Sequence, residues 1–119
     1  MTRINCGISP SELTNKHLIA EHREIKRVPN TIKSGKAIIK DIPETFRLGA
    51  GHVKFFYTRL GYLLTRYKSI YAECKARGFN VQDYSNAWDG VPENLMGDYT
   101  PSQRDRKIVQ ARIVSKLNS

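Results

Sequence analysis

Cysteine, histidine and tryptophan are scarce in this chain, and acidic residues are outnumbered by basic ones. Two cysteines among 119 residues, Cys6 and Cys74, make no disulfide framework, and neither has the close partners of a zinc site. They read as reduced thiols. The three histidines, His17, His22 and His52, lack a metal-centre spacing, and His17 and His22, five apart, point in different directions on a helix. No apolar run approaches the roughly eighteen residues of a membrane span, and Met1-Thr2-Arg3-Ile4-Asn5 is too polar for an export signal. There is no Walker-type glycine loop, no paired-carboxylate signature, no internal repeat and no low-complexity tract. These absences leave no expected metal or organic cofactor and no membrane partner.

What is present is positive charge. Lys+Arg 20 against Asp+Glu 11 gives a net charge of +9, which favours a polyanionic partner, nucleic acid before an anionic membrane surface. A length of 119 residues suits one domain, spanning 1–119, with a single core.

Thr2 to Ile8 reads as extended or irregular. Ser9-Pro10-Ser11-Glu12 then resembles a helix start, with Ser9 as cap, Pro10 in the first helical position and Glu12 reaching back, Thr14 or Asn15 being rival caps. This first helix places His17, Ala20, Glu21, Glu24 and Arg27 along one face, and Pro29 closes it near Arg27. Its apolar stripe is narrow, so much of its surface is offered to a partner. Asn30 to Gly51 sustains no period and reads as a long ordered loop, whose Lys33, Lys36, Lys40 and Arg47 extend the basic surface.

From about His52 to Arg77, Val53, Phe56, Leu60, Leu63, Leu64, Tyr67, Ile70, Tyr71 and Cys74 recur at helical spacing, and Gly78 stands where a helix stops. This second helix is expected to supply most of the core. Its aromatics are read as core rather than as a base-stacking platform, with Tyr57 and Tyr62 open to either role. Phe79 to Tyr99 is turn-rich, and Trp88 is expected to anchor it. Thr100-Pro101-Ser102-Gln103 repeats the capping logic for a last, strongly basic helix from about Pro101 to Lys116. The expected fold is mainly α: a compact single domain of three helices with long ordered loops.

Several pieces together carry a resemblance. Met-Thr-Arg-Ile-Asn at the start, His-Leu-x-Ala-Glu-x-Arg-Glu at 17–24, and Gly-Ala-Gly-His-Val-x-Phe-Phe-Tyr at 49–57 resemble the phage endonuclease V type of pyrimidine dimer DNA glycosylase. Ala72-Glu73-Cys74, Arg77-Gly78-Phe79-Asn80, Gly97-Asp98-Tyr99 and Gln110-Ala111-Arg112 continue it in the same order over nearly the whole chain.

The resemblance implies a repair enzyme that removes UV-induced pyrimidine dimers from double-stranded DNA and nicks the resulting abasic site. It implies two catalytic groups, the α-amine of Thr2 after removal of Met1, and the Glu24 carboxylate. Arg3, Lys16, His17, Arg23, Arg27, Arg112 and Lys116 match positions that hold DNA. A DNA-associated monomer in the cytoplasm of a bacterial or phage-infected cell is the corresponding expectation. An α-amine suits nucleophilic attack near neutral pH. Its pKa of about 7.7–8.0, against about 10.4 for lysine, leaves on the order of a tenth of it neutral near pH 7. An arm of residues 2–9 spans at most roughly 26–29 Å, and Pro10 to Glu24 along a helix is about 21 Å, so the folded-back arm can bring the amine to Glu24.

Without the resemblance, Glu24 among Arg23, Lys26 and Arg27 reads as a solvated partner in helix-surface pairs worth about 0.2–0.5 kcal/mol, and the chain as a non-catalytic basic DNA-binding protein. Glu21, one turn away, reads as structural. Three departures bear on specificity. Lys16 stands where the family has glutamine, the loop after Pro29 is shorter, and no aromatic, basic tail precedes Ser119. The last points to a related lyase with different damage specificity as the alternative.

Overall fold

The structure, a computed structural model, describes residues 2–117. The chain starts as an irregular arm (residues 2–8), makes a 3₁₀ turn at Pro10–Glu12, and then forms α1 (Asn15–Glu24) and α2 (Arg27–Lys33). A long irregular loop leads to α3 (His52–Phe55), a 3₁₀ turn at Phe56–Thr58 and α4 (Leu60–Ala76). Two further 3₁₀ turns, Ser85–Trp88 and Glu93–Leu95, precede α5 (Gln103–Leu117). The radius of gyration, 13.9 Å, is close to the roughly 13.5 Å of a compact chain this long. Among the described residues there is no strand beyond an isolated bridge between Arg59 and Met96, and no helix long and apolar enough to cross a membrane.

The mainly helical expectation holds, but three helices are too few: α1, α2, α4 and α5 each have seven residues or more, and α3 adds one turn. The first helix is the main correction. Pro10 starts only a 3₁₀ turn, in which Glu12 accepts the Ser9 N–H at 3.2 Å. Leu13 is extended, and Thr14 caps α1 by accepting the His17 N–H at 3.3 Å. Pro29 does not end a helix. It sits in the first turn of α2, where a backbone N–H has no intrahelical partner to lose.

The expected helix from His52 to Arg77 is broken at Arg59 (φ −127°, ψ 36°). The cause is a close approach: the Tyr62 N–H donates to the Gly97 carbonyl at 3.0 Å, and a Cβ on Gly61 would lie 2.6 Å from the Met96 carbonyl oxygen. The helix restarts after the incoming loop. It ends as expected, Gly78 (φ +82°) sending its N–H to Lys75 and Phe79 to Cys74. The last helix begins at Gln103, not Pro101. Ser102 caps it, and Asp105 rather than Gln103 reaches back, accepting the Ser102 N–H at 3.0 Å.

The core gathers Leu18 of α1, Ile25 just after it, Val28 of α2, Leu60, Leu63, Tyr67, Ile70 and Cys74 of α4, and Val109 of α5 around Phe46, Phe55 and Phe56. Trp88 is buried and donates Nε1–H to the Leu60 carbonyl at 3.1 Å, the anchoring role expected of it. Tyr62 is buried too, its hydroxyl on Cys6 Sγ. Both cysteines are free and buried, and burial pushes the Cys6 thiol up to about 11.

Candidate active site

The arm decides where the chain begins. It has no helix or strand to satisfy its backbone, yet Ile4, Asn5, Cys6 and Ile8 are buried. Side chains from other elements supply the missing partners. Arg66 of α4 donates to the Ile8 carbonyl at 2.8 Å and Arg106 of α5 to the Gly7 carbonyl at 3.1 Å. The Ile4 N–H donates to His52 Nε2 at 2.9 Å, and Asn5 Nδ2 donates to Glu21 Oε1 at 2.7 Å. Arg112 of α5 donates to Asn5 Oδ1 at 2.6 Å. At the end of this row, the Arg3 N–H donates to Glu24 Oε1 at 3.2 Å.

Thr2, half-buried, is thus one residue beyond a hydrogen bond to the carboxylate with which the resemblance pairs it. Met1 lies outside the described residues. Glu24 is the last residue of α1 and keeps only 14% of its side chain exposed, with Arg23 Nη2 at 3.5 Å from its other oxygen. Its charge is also felt by Arg112, a member of a small cationic cluster.

Arg3, half-buried His17 and Arg112 form that cluster. Burial is the first cause lowering the His17 pKa, and the charges of Arg112, Lys16 and Arg3 follow. Arg112 is likewise lowered, by burial first and then by Arg3, while Glu21 and Glu24 oppose the shift. His17 and Arg112 therefore both feel neighbouring positive charge, which an anion relieves. His17 Nδ1 lies 2.8 Å from Thr14 Oγ1, which fixes its ring at the head of α1. Lys16 and Arg23 are exposed on the same helix. Arg27 and Lys116 stand at the margins: Arg27 opens α2, and Lys116 is exposed about one turn past Arg112.

Glu21 reads as structural from the sequence, but its partners and several other supporting residues escape that reading. Glu21 is buried, and its carboxylate takes two hydrogen bonds from Arg66, one of them from Nη2 at 3.0 Å, besides the one from Asn5. Arg66 stands on the buried face of α4 between Leu63 and Ile70. That position is itself a signal, because a cation on an apolar stripe needs a buried partner. Arg77 gathers the carbonyls of Pro10, Ser11 and Leu13 and the Asn15 side chain, and so fixes the break at which α1 begins. His52 is a further omission. It opens α3, as read, and is also a buried clamp on the arm.

A carboxylate beside a fixed chain start, ringed by cations on a helical scaffold, suits chemistry on a phosphate-flanked sugar. A family model described as pyrimidine dimer DNA glycosylase matches residues 1–85, a span that contains the arm, Glu21, Glu24 and His52 and ends before Arg112. On that match, the chain belongs to the pyrimidine dimer DNA glycosylase family.

Proposed function

We propose that this protein excises UV-induced pyrimidine dimers and then nicks the strand, using the α-amine of Thr2 as nucleophile once Met1 is removed. The neutral amine attacks C1′ of the damaged nucleotide. The glycosidic C1′–N bond breaks, and the base leaves with the bonding electrons and takes up a proton. Ring opening gives an imine between Thr2 and the sugar. Loss of a C2′ proton then expels the 3′ phosphate by β-elimination, and water hydrolyses the imine to free the enzyme. Glu24 stabilises the cationic sugar as the base departs and relays the protons of imine formation and elimination.

The observation that carries this reading is the hydrogen bond from the Arg3 N–H to Glu24 at 3.2 Å, since the amine nitrogen of Thr2 is separated from that N–H only by the Thr2 Cα and carbonyl carbon. In the same reading Arg3, Lys16, His17, Arg23, Arg27, Arg112 and Lys116 grip phosphates. Such contacts set position without reading sequence, as a damage-directed enzyme requires. The protein acts as a single-domain monomer on double-stranded DNA. Extrusion of a nucleotide opens the site to the sugar, and a dimer that already weakens the duplex makes extrusion easier.

The test is reductive trapping. Incubation with a duplex containing an abasic site and cyanoborohydride is expected to give a covalent complex whose adduct maps to Thr2 by peptide mass spectrometry. Blocking the α-amine abolishes it. No complex overturns the reading and leaves a basic DNA-binding protein, and an adduct on a lysine overturns the role of Thr2 and leaves a lyase with another nucleophile. Cleavage of dimer-containing against oxidised duplexes then decides the lesion class.

A further inference from the structure

We propose that the loop between α2 and α3 is a second DNA-contacting element, whose exposed pair Ile38 and Ile39 wedges into the base stack beside the extruded nucleotide. The inference rests on the glycosylase reading above. Ile38 is 70% exposed and Ile39 44% exposed, and these two neighbours make up half of the four exposed large hydrophobic residues among those described. A single exposed isoleucine is ordinary. Two adjacent ones at the tip of a loop, with stiff β-branched side chains, form an apolar edge that nothing in the described fold covers.

The backbone holds that edge out. Asp41 (φ +54°) is the one non-glycine residue with positive φ among those described, and Gly35 (φ +76°) adopts the same left-handed region with nothing within 4 Å of its side-chain position. Two left-handed positions therefore bracket residues 36–40. Strain of this kind is kept where the surrounding structure or a function requires it.

One root of the loop is tied to the site and the other is one short helix away from it. The loop leaves at the end of α2, whose first residue, Arg27, follows Glu24 by three, and the seven residues of that helix span about 10 Å. That distance is about three base-pair steps of duplex at 3.4 Å each. It returns at buried Phe46, whose carbonyl accepts from Arg104 at 3.1 Å, and at Arg47, whose carbonyl lies 2.8 Å from His52 Nδ1. The other nitrogen of His52 holds Ile4 of the arm. In the proposed complex, with the damaged sugar at Thr2 and Glu24, the tip meets a neighbouring base step of the same duplex.

Charge selects the occupant. Lys33, Lys36, Lys40 and Arg47 are exposed against Asp41 and Glu44, net +2 for residues 33–47, with Lys40 next to Ile39 and Lys36 two residues before Ile38. Apolar side chains between cationic ones match a base step between its phosphates, the pattern by which proteins unstack and kink a duplex. Extrusion leaves apolar base faces exposed at the gap, and the isoleucine edge covers them.

The experiment uses a duplex with a tetrahydrofuran abasic analogue and 2-aminopurine as the neighbouring base, whose fluorescence rises when it unstacks. The wild-type protein at saturation is expected to raise the signal, and the double variant Ile38→Ser/Ile39→Ser to lose most of that rise. Cyanoborohydride trapping on a single-stranded abasic oligonucleotide, where there is no stack to open, stays at the wild-type level. Lys36→Gln/Lys40→Gln is expected to keep the rise at saturation while lowering the slope of log affinity against log salt by about 2. Equal fluorescence for wild type and the isoleucine variant, with equal affinity, overturns the wedge. Absence of trapping by the wild type overturns the enzyme reading instead, and the fluorescence comparison, which needs no chemistry, still decides the wedge.

Discussion

His52 and Ile4 are joined across 48 residues by a hydrogen bond in which the Ile4 N–H donates to Nε2 at 2.9 Å. Nε2 must be unprotonated to accept it, so the proton sits on Nδ1 and is donated to the Arg47 carbonyl at 2.8 Å. The ring is therefore clamped as one neutral tautomer, and through it the arm that starts at Thr2 is tied to the start of α3.

This clamp predicts a pH dependence. Burial, first, and the charges of Arg112 and Arg3 lower the His52 pKa below the ordinary value, against the opposing Arg47 carbonyl and Glu21. His22 is also lowered, chiefly by burial. Below the unfolded value of about 6.5, the unfolded chain takes up protons that the folded chain refuses. The stabilisation is therefore complete above that value and is lost as the pH falls from there through the folded one. Urea melts at pH 8 and pH 5.5 are expected to show lower stability at the acid end. In the His52→Ala variant, which strands the Ile4 N–H and the Arg47 carbonyl, stability falls by about 2–4 kcal/mol and part of the acid sensitivity disappears.

Two glutamates one turn apart are expected to separate stability from catalysis. Glu21→Gln leaves the buried Arg66 guanidinium without its counter-charge, and breaking such a pair destabilises by about 3–5 kcal/mol. Glu24 lies at the edge of the site with one oxygen on the Arg3 N–H, and Gln keeps an acceptor there. Glu24→Gln is therefore expected to melt like the wild type and to bind an uncleavable abasic analogue equally well. Its strand nicking falls roughly a hundred- to ten-thousandfold, the range of a lost acid–base group. Equal losses of binding and nicking would remove Glu24 from the chemistry.

How much of this was legible follows from which signals are local. The α4 stripe and its Gly78 stop were readable because apolar spacing and a left-handed C′ position are written within one segment. The break at Arg59 was not, because its cause, the Met96 and Gly97 carbonyls, arrives from more than thirty residues away. Pro29 misled for a related reason: a proline that disfavours a helix interior suits a helix start, and the residues before it do not say which applies. At the site, the nearness of the arm's start to Glu24 was implied by the family resemblance and allowed by chain reach, whereas the Asn5–Glu21–Arg66 network and the His52 clamp depend on how four segments meet. Only the misplaced charge of Arg66 announced any of it.

The cation cluster makes His17 a reporter. Burial is the first cause of its lowered pKa, and Arg112, Lys16 and Arg3 add to it in that order. Removing a cation therefore raises the His17 pKa, more for Arg112→Gln than for Lys16→Gln, as read by NMR titration of the ring protons. A phosphate in the cluster acts in the same direction, so binding of an abasic duplex is also expected to raise it. Arg112→Gln should in addition reduce the salt slope of DNA binding by about 1. A His17 pKa indifferent to all three changes would separate that residue from the DNA-binding surface.

The close approach at α4 yields a prediction whose sign is informative. Gly61 is the second residue of α4, where propensity alone makes alanine more favourable by roughly 0.5–1 kcal/mol. A Cβ there would lie 2.6 Å from the Met96 carbonyl oxygen and 3.0 Å from that of Gly97. Both are backbone atoms held by the Tyr62 N–H bond to Gly97 and the bridge from Arg59 to Met96, so they have little freedom to move. Gly61→Ala is therefore expected to destabilise by about 1–3 kcal/mol in chemical denaturation. Gly97→Ala, whose Cβ would collide with the Thr58 carbonyl, should be at least as harmful. A stabilised Gly61→Ala protein would mean that the loop carrying Met96 and Gly97 does not press on the helix. The interruption at Arg59 would then need a cause within the segment itself.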